Sequence, residues 1–222
     1  MVGRRKYDDG CAVAQALDVV GERWALLLVR DLLLGPKRFT DLLAGLSGAS
    51  SDVVTQRLRD LADAGVVRRR RLPPPASAWV YELTPWGAEL EQVVLGLAGW
   101  VHSSPRMRYD LPLGADSLML SLKMMFDGNR AEGVSAEIAL HIGDERFAIR
   151  VANGELAIAR GEIDNPDAVI DTDTATLLSI VRAEQSVDDA LASGRLRLTG
   201  NQPAVESFAR LFPLPTDASV SD

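Results

Sequence analysis

The chain has 222 residues, 47% of them hydrophobic, and carries a net charge of −7. That length fits one large domain or two small ones, and that apolar fraction excludes wholesale disorder. A single cysteine excludes an intrachain disulfide framework and fits a reducing cytoplasm, and two histidines with one cysteine do not make a usual zinc site.

The opening, MVGRRKYDD, lacks the apolar stretch of a signal peptide, so none is expected. The longest apolar run, ALLLVRDLLLG, is broken by Arg30 and Asp31 and is too short to span a bilayer, so no membrane partner is expected. There is no Gly-rich phosphate loop and no G-x-S-x-G elbow, and no cofactor is expected. Charge is uneven: residues 1–108 hold 15 Lys/Arg against 12 Asp/Glu, a net +3, and residues 109–222 hold 9 against 19, a net −10. Such asymmetry suggests two modules with different partners, although chance variation within one domain is the alternative. The break is placed at 103–114, SSPRMRYDLPLG, which holds two prolines and a glycine.

In chain order, CAVAQALDVV (Cys11–Val20) has Val13, Leu17 and Val20 at helical spacing. A second helix, Glu22–Leu34, is apolar nearly all round and should be the buried centre; Gly35-Pro36 stops it. A short third helix begins near Arg38. Ser50 is placed as the N-cap of the next, in which Val54, Leu58 and Leu61 fall within about 60° of one another as a buried stripe. Asp52, Thr55, Gln56, Arg59 and Asp63 lie roughly opposite. Gly65 ends this helix, a strand runs Val66–Leu72, PPPASA turns, and Trp79–Leu83 returns. A last helix opens with Thr84 as cap and Pro85 at its first position.

Helices, a polar recognition helix and a basic hairpin in that order make a winged helix-turn-helix. Ser51, Thr55, Gln56 and Arg59 have the chemistry to read base edges in a major groove, Arg on guanine and Gln on adenine. In the wing, Arg68, Arg69, Arg70 and Arg71 suit phosphates or a narrow minor groove; alternation in a strand points about two of them at DNA. Lys37 and Arg38 are candidates for a further phosphate. The competing reading is an ordinary solvated helix face.

Residues 11–103 resemble the HxlR family of bacterial regulators, a branch of the MarR-like winged-helix proteins. The resemblance is carried by CAVAQALDVVGERWALLLVRDLLLGPKRFTDLLAGL, SSDVVTQRLRDLADAGVV and YELTPWGAEL. It implies a homodimer on an inverted-repeat double-stranded operator, with the first and last helices of the domain as dimer interface and repression as the usual outcome. Two features depart from the family: Ser51-Asp52 opens the recognition helix where Pro and a basic or polar residue are frequent, and the wing tip is less charged. Some relatives carry a redox-sensing cysteine near Cys11. A helix N-terminus and Arg4, Arg5 and Lys6 would lower its thiol pKa, Asp8 and Asp9 would raise it, and a structural, buried cysteine is the alternative.

The second half alternates apolar and polar residues over Ala136–Ile142, Arg146–Val151 and Glu155–Arg160, with DAVIDTD as a fourth run. Two helices, TATLLSIVRAE and SVDDALASG, are expected with Thr174 and Ser186 as N-caps, then a short strand RLRLTGN and a last helix PAVESFARLF. SLMLSLKMMF fits either period. NPDAVIDTDTATLLSIV and DDALASGRLRLTGNQPAVESFARLF resemble the sterol-carrier-protein type of lipid-binding domain over roughly 113–214. That implies an apolar tunnel and a hydrophobic small molecule, for which Met119, Met124, Met125 and Phe126 are candidate lining residues; simple core filling is the alternative.

The expected fold class is α+β, with a winged helix-turn-helix over residues 1–108 and a sterol-carrier-type sheet-plus-helices domain over 113–214. The expected function is a cytoplasmic, homodimeric, DNA-binding regulator, not an enzyme. The rival is a lipid carrier using the winged helix only to dimerise; nothing arranges a nucleophile with a base, as a hydrolase or transferase needs.

Overall fold

The computed structural model describes residues 6–102, 104–105, 107–108 and 111–213. The chain divides into two compact units, Met1–Val94 and Leu95–Asp222. In the first, α1 (Ala12–Val20), α2 (Ala25–Leu32), α3 (Phe39–Gly45) and α4 (Ser51–Asp63) precede β1 (Val67–Arg71) and β2 (Trp79–Leu83). Next come α5 (Pro85–Ala88) and α6 (Leu90–His102), and the division between units falls inside α6.

The core of the first unit is built where helical spacing puts it. Val54, Leu58 and Leu61 of α4 are buried against Leu28 and Val29 of α2 and Leu42 of α3. Burying one such side chain stabilises the fold by roughly 1.5–3 kcal/mol. Helix α2 is shorter than its apolar pattern suggests. Trp24 adopts the left-handed region at φ 78°, which a helix interior does not accommodate, and a turn closed by Ala25 N–H on Glu22 C=O (3.0 Å) replaces the expected first turn. The expected last helix is two: Glu89 separates α5 from α6. Thr84 caps α5 as expected, its Oγ1 accepting from Gly87 N–H at 3.0 Å and donating to Gly65 C=O at 2.7 Å. The apolar positions at helical spacing on α1 are only partly buried. Val20 is in the core, but Val13 and Leu17 are 66% and 41% exposed. Periodicity identifies an apolar face; it does not say whether this chain alone covers it.

The second unit is a five-stranded sheet in the order β5-β4-β3-β6-β7, from β3 (Ala136–Ile142), β4 (Glu145–Ala152), β5 (Glu155–Arg160), β6 (Ala168–Thr172) and β7 (Arg197–Gly200). All neighbours are antiparallel except β3 and β6. Its helices are α7 (Ala115–Met125), α8 (Thr174–Val181), α9 (Val187–Ala192) and α10 (Gln202–Ala209). The run that fitted either period is α7. Ile138, Leu140, Phe147, Ile149 and Ile170 are buried on one sheet face, where α10 packs on β3 and β6 and α7 on β5. The other face carries cross-strand polar pairs, Glu137 with Arg150 (2.8 Å) and His141 with Asp171 (3.0 Å). This is an α+β sheet-plus-helices domain, as expected. The cap of α8 is Asp173, not Thr174: its carboxylate accepts from Thr176 N–H at 2.8 Å, and an ionised acceptor suits the positive helix end. Ser186 caps α9.

Candidate nucleic-acid interface

Helix α4 is positioned by its cap and its stripe. Ser50 Oγ accepts from Val53 N–H at 3.3 Å, and burial of Val54, Leu58 and Leu61 turns the opposite face outward. There Ser51, Asp52, Gln56 and Arg59 are exposed and Thr55 is half-buried. Gln56 is engaged, its Nε2 donating to Asp60 Oδ1 at 2.8 Å. Asp60 also holds Arg57 at 2.6 Å. Asp60 was not among the expected site residues, although its i+4 and i+3 spacing from Gln56 and Arg57 is the helical signal for such pairs. Arg59 is exposed and makes no ion pair among the described residues.

The wing sorts its four arginines into two pairs. Arg68 lies opposite Glu82, Arg69 opposite Tyr81, Arg70 opposite Val80 and Arg71 opposite Trp79. Arg68 Nε donates to Glu82 Oε1 at 2.7 Å and Arg70 Nε to Oε2 at 2.5 Å. Burial raises the Glu82 pKa, but the hydrogen bonds and charges of Arg70 and Arg68 outweigh it and hold the carboxyl below its ordinary value. On the alternate positions, the Arg69 guanidinium lies 4.6 Å from the centre of the Trp79 ring, itself 52% exposed, and Arg71 reaches Ser77 C=O at 3.4 Å.

Of the two residues expected beside α3, Arg38 is exposed and its N–H donates to Asp41 at 3.3 Å. Lys37 departs from expectation. It is only 6% exposed, because its backbone pairs with Tyr81 of β2 through bonds of 3.0 and 2.8 Å that draw it under the wing. Cys11 is exposed at the N-terminus of α1. Hydrogen bonds from the backbone N–H groups of Ala14 and then Val13 lower its thiol pKa.

In the second unit, Met119 is fully buried in the core and Phe126 packs on Phe212 with ring centres 6.3 Å apart. Met124 and Met125 do line a pocket, of about 90 Å³, with Leu111, Leu113 and Leu178 and with Arg108 and Arg182 at its polar side. A larger groove of about 570 Å³ in the first unit lies between α1 and the α5–α6 segment, lined by Ala16, Val19, Trp86 and Val93 among others. Its lining comes from segments far apart in the chain, so the sequence carried no signal for it. Among the described residues no helix is long and apolar enough to cross a membrane, and no cluster of His, Cys, Asp and Glu could hold a metal ion.

Residues 19–108 match the family described as HxlR-like helix-turn-helix, and residues 103–218 match the family described as alkyl sulfatase C-terminal, where the sequence had suggested a sterol carrier protein. Among curated relatives, the HTH-type transcriptional regulator YdeP of Bacillus subtilis is 33% identical over 95 residues, 41% of this chain and 72% of that protein. YvaP of the same species is 34% identical over 86 residues, 39% of this chain and 80% of that protein. A Synechocystis regulator is 31% identical over 87 residues, and the chain spans only 64% of its length. Among solved structures, the redox regulator HypR in its oxidized form is 30% identical with a TM-score of 0.40, over 44% of this chain and 100% of that one. The sec-alkylsulfatase Pisa1 from Pseudomonas is 18% identical with a TM-score of 0.46, over 94% of this chain and 31% of that one. The chain belongs to the HxlR-like helix-turn-helix family of transcriptional regulators, and its C-terminal half belongs to the alkyl sulfatase C-terminal family.

Proposed function

We propose that this protein is a homodimeric repressor that binds an inverted-repeat DNA operator through residues 1–108 and an apolar small molecule through residues 113–214. The observation that carries the DNA reading is the pairing of an exposed polar face on α4, Thr55, Gln56 and Arg59, with a wing of four arginines in β1. A recognition helix reads donor and acceptor patterns in the major groove, and a basic wing beside it holds the flanking backbone. Of the phosphate contacts first expected, Arg38 is retained and Lys37 is not, since it is buried.

Dimerisation is supported by apolar surface that the chain leaves uncovered. No residue of α6 is buried, Trp100 and Val93 are 74% and 48% exposed, and Val13 of α1 is 66% exposed. Two-fold pairing through these helices would bury that surface and set two copies of α4 on successive half-sites, about 34–36 Å apart for B-DNA. The excess acidity of residues 109–222, a net −10, weakens non-specific attraction to DNA. The Met124 and Met125 pocket supports an apolar effector, since Met side chains open readily for irregular ligands. Such a ligand acts by biasing the equilibrium between two spacings of α4. Exposure and a lowered thiol pKa support Cys11 as a residue through which oxidation also reaches the regulator. A regulator acting on DNA in this way would work in the cytoplasm. No catalytic step is assigned to it.

Nuclease footprinting on the DNA upstream of the protein's own gene tests the reading. Two protected segments related by a two-fold axis are expected. Protection of a single unsymmetric segment, or none at concentrations that saturate the probe in a gel shift, would sink it.

A further inference from the structure

Four arginines follow one another in β1, and a wing that offered all four to DNA would bind any duplex strongly. Strand pairing prevents this. Glu82 stands directly across from Arg68, and Arg70 is two residues along on the same face of the ribbon. One carboxylate therefore meets both guanidinium groups, one oxygen each, at 2.7 and 2.5 Å. The Glu82 side chain is 12% exposed. A DNA phosphate taking either arginine would leave this carboxylate poorly solvated, short of a partner and beside a polyanion, which is costly. Arg69 and Arg71 have no such acidic partner among the described residues.

Resting on the DNA-binding reading, we propose that Glu82 is a specificity-determining residue of the wing: it sequesters Arg68 and Arg70 and leaves Arg69, stacked on Trp79, and Arg71 as the wing's contacts to duplex DNA. Holding back two phosphate contacts lowers affinity for every sequence alike. Base contacts from α4 are untouched, so discrimination rests more heavily on them.

A double-mutant cycle in the full chain tests this, with Arg70→Ala made in the wild-type and Glu82→Gln backgrounds. The glutamine keeps the shape and one acceptor but not the charge, and thermal unfolding confirms that each variant is folded. The readout is the slope of log affinity against log salt between 50 and 200 mM, on the upstream DNA and on an unrelated duplex of equal length. Each phosphate contact contributes about 0.9 to that slope. Arg70→Ala should change it by less than about 0.3 in wild type and by about 0.9 in the Glu82→Gln background. Glu82→Gln alone should steepen it and raise affinity for the unrelated duplex several-fold. The same cycle read as elution salt on heparin, a polyanion without base sequence, keeps the inference separate from operator recognition. Equal losses from Arg70→Ala in both backgrounds would overturn the inference on any of these polyanions. Equal binding of the two duplexes with the cycle intact would instead overturn the sequence-specific reading alone.

Discussion

Gly87 lies against the carbonyl of Val66 so closely that a Cβ at position 87 would come within 2.0 Å of that oxygen. The contact closes the winged-helix unit where α5 meets the end of the α4–β1 turn. Thr84 supports it from the other side through its two bonds, to Gly65 C=O and from Gly87 N–H.

Gly87→Ala should therefore destabilise the fold by about 1–3 kcal/mol, because backbone rather than a flexible side chain must move. Thr84→Ala should cost about 1 kcal/mol, the usual loss for a helix cap. Urea unfolding measures both. A Gly87→Ala protein as stable as wild type would show that α5 can be displaced without strain.

Glu82 links the wing to pH. Its carboxyl pKa lies below the ordinary value in the fold, so the group adds stability above its unfolded pKa, about 4.3, and loses it as pH falls through the folded value. Glu82→Gln should be less stable than wild type at neutral pH, where that contribution is present, and should show a flatter loss of stability below about pH 4, where the two proteins converge. Acid titration followed by tryptophan fluorescence checks this, since Trp79 stacks on the neighbouring Arg69. Superimposable acid limbs for the two proteins would contradict it.

Cys11 should be more reactive folded than unfolded. The Ala14 and Val13 N–H groups favour its thiolate only while α1 is formed. Alkylation by iodoacetamide at pH 7 should be faster in the native protein than in urea. An equal or slower native rate would remove the physical basis for a sensing role.

Leu97→Glu or Trp100→Glu, placed in the middle and last turns of α6, should convert a dimer of twice 24.0 kDa into a monomer. The residues are 46% and 74% exposed in the single chain, so the change should leave the monomer's fold intact and lower operator affinity. Light scattering after gel filtration reads the mass. An unchanged dimer would locate the interface elsewhere.

How much of this was legible depended on the range over which each feature is determined. The Val54, Leu58 and Leu61 stripe, the Ser50 cap and the Thr84-Pro85 helix start are set within a few residues, and they stand as the sequence suggests. The two-residue turns at Gly143-Asp144 and Asn153-Gly154 likewise fixed the meander of β3, β4 and β5. The Glu82 clamp was invisible because it depends on hairpin register, and PPPASA has no single turn geometry from which to count. Lys37 read as a surface cation because nothing nearby announces its pairing with Tyr81, far along the chain. Val13 and Leu17 read only as apolar positions at helical spacing, because such a stripe looks the same whether its own chain or a partner covers it, and they are exposed in the single chain.

Arg59 offers the most direct measurement of sequence reading by α4. It is exposed on the helix face opposite the core and is not tied to a carboxylate among the described residues, whereas Gln56 donates to Asp60. The quantity to measure is the ratio of affinities for the upstream operator and for an unrelated duplex, at fixed salt, in wild type and Arg59→Ala. Loss of one bidentate base contact is worth about 1–3 kcal/mol, so the ratio should collapse by roughly 5- to 150-fold while unrelated DNA is bound nearly as before. An unchanged ratio, with both affinities lowered equally, would make Arg59 a phosphate contact and contradict base reading from this face of α4.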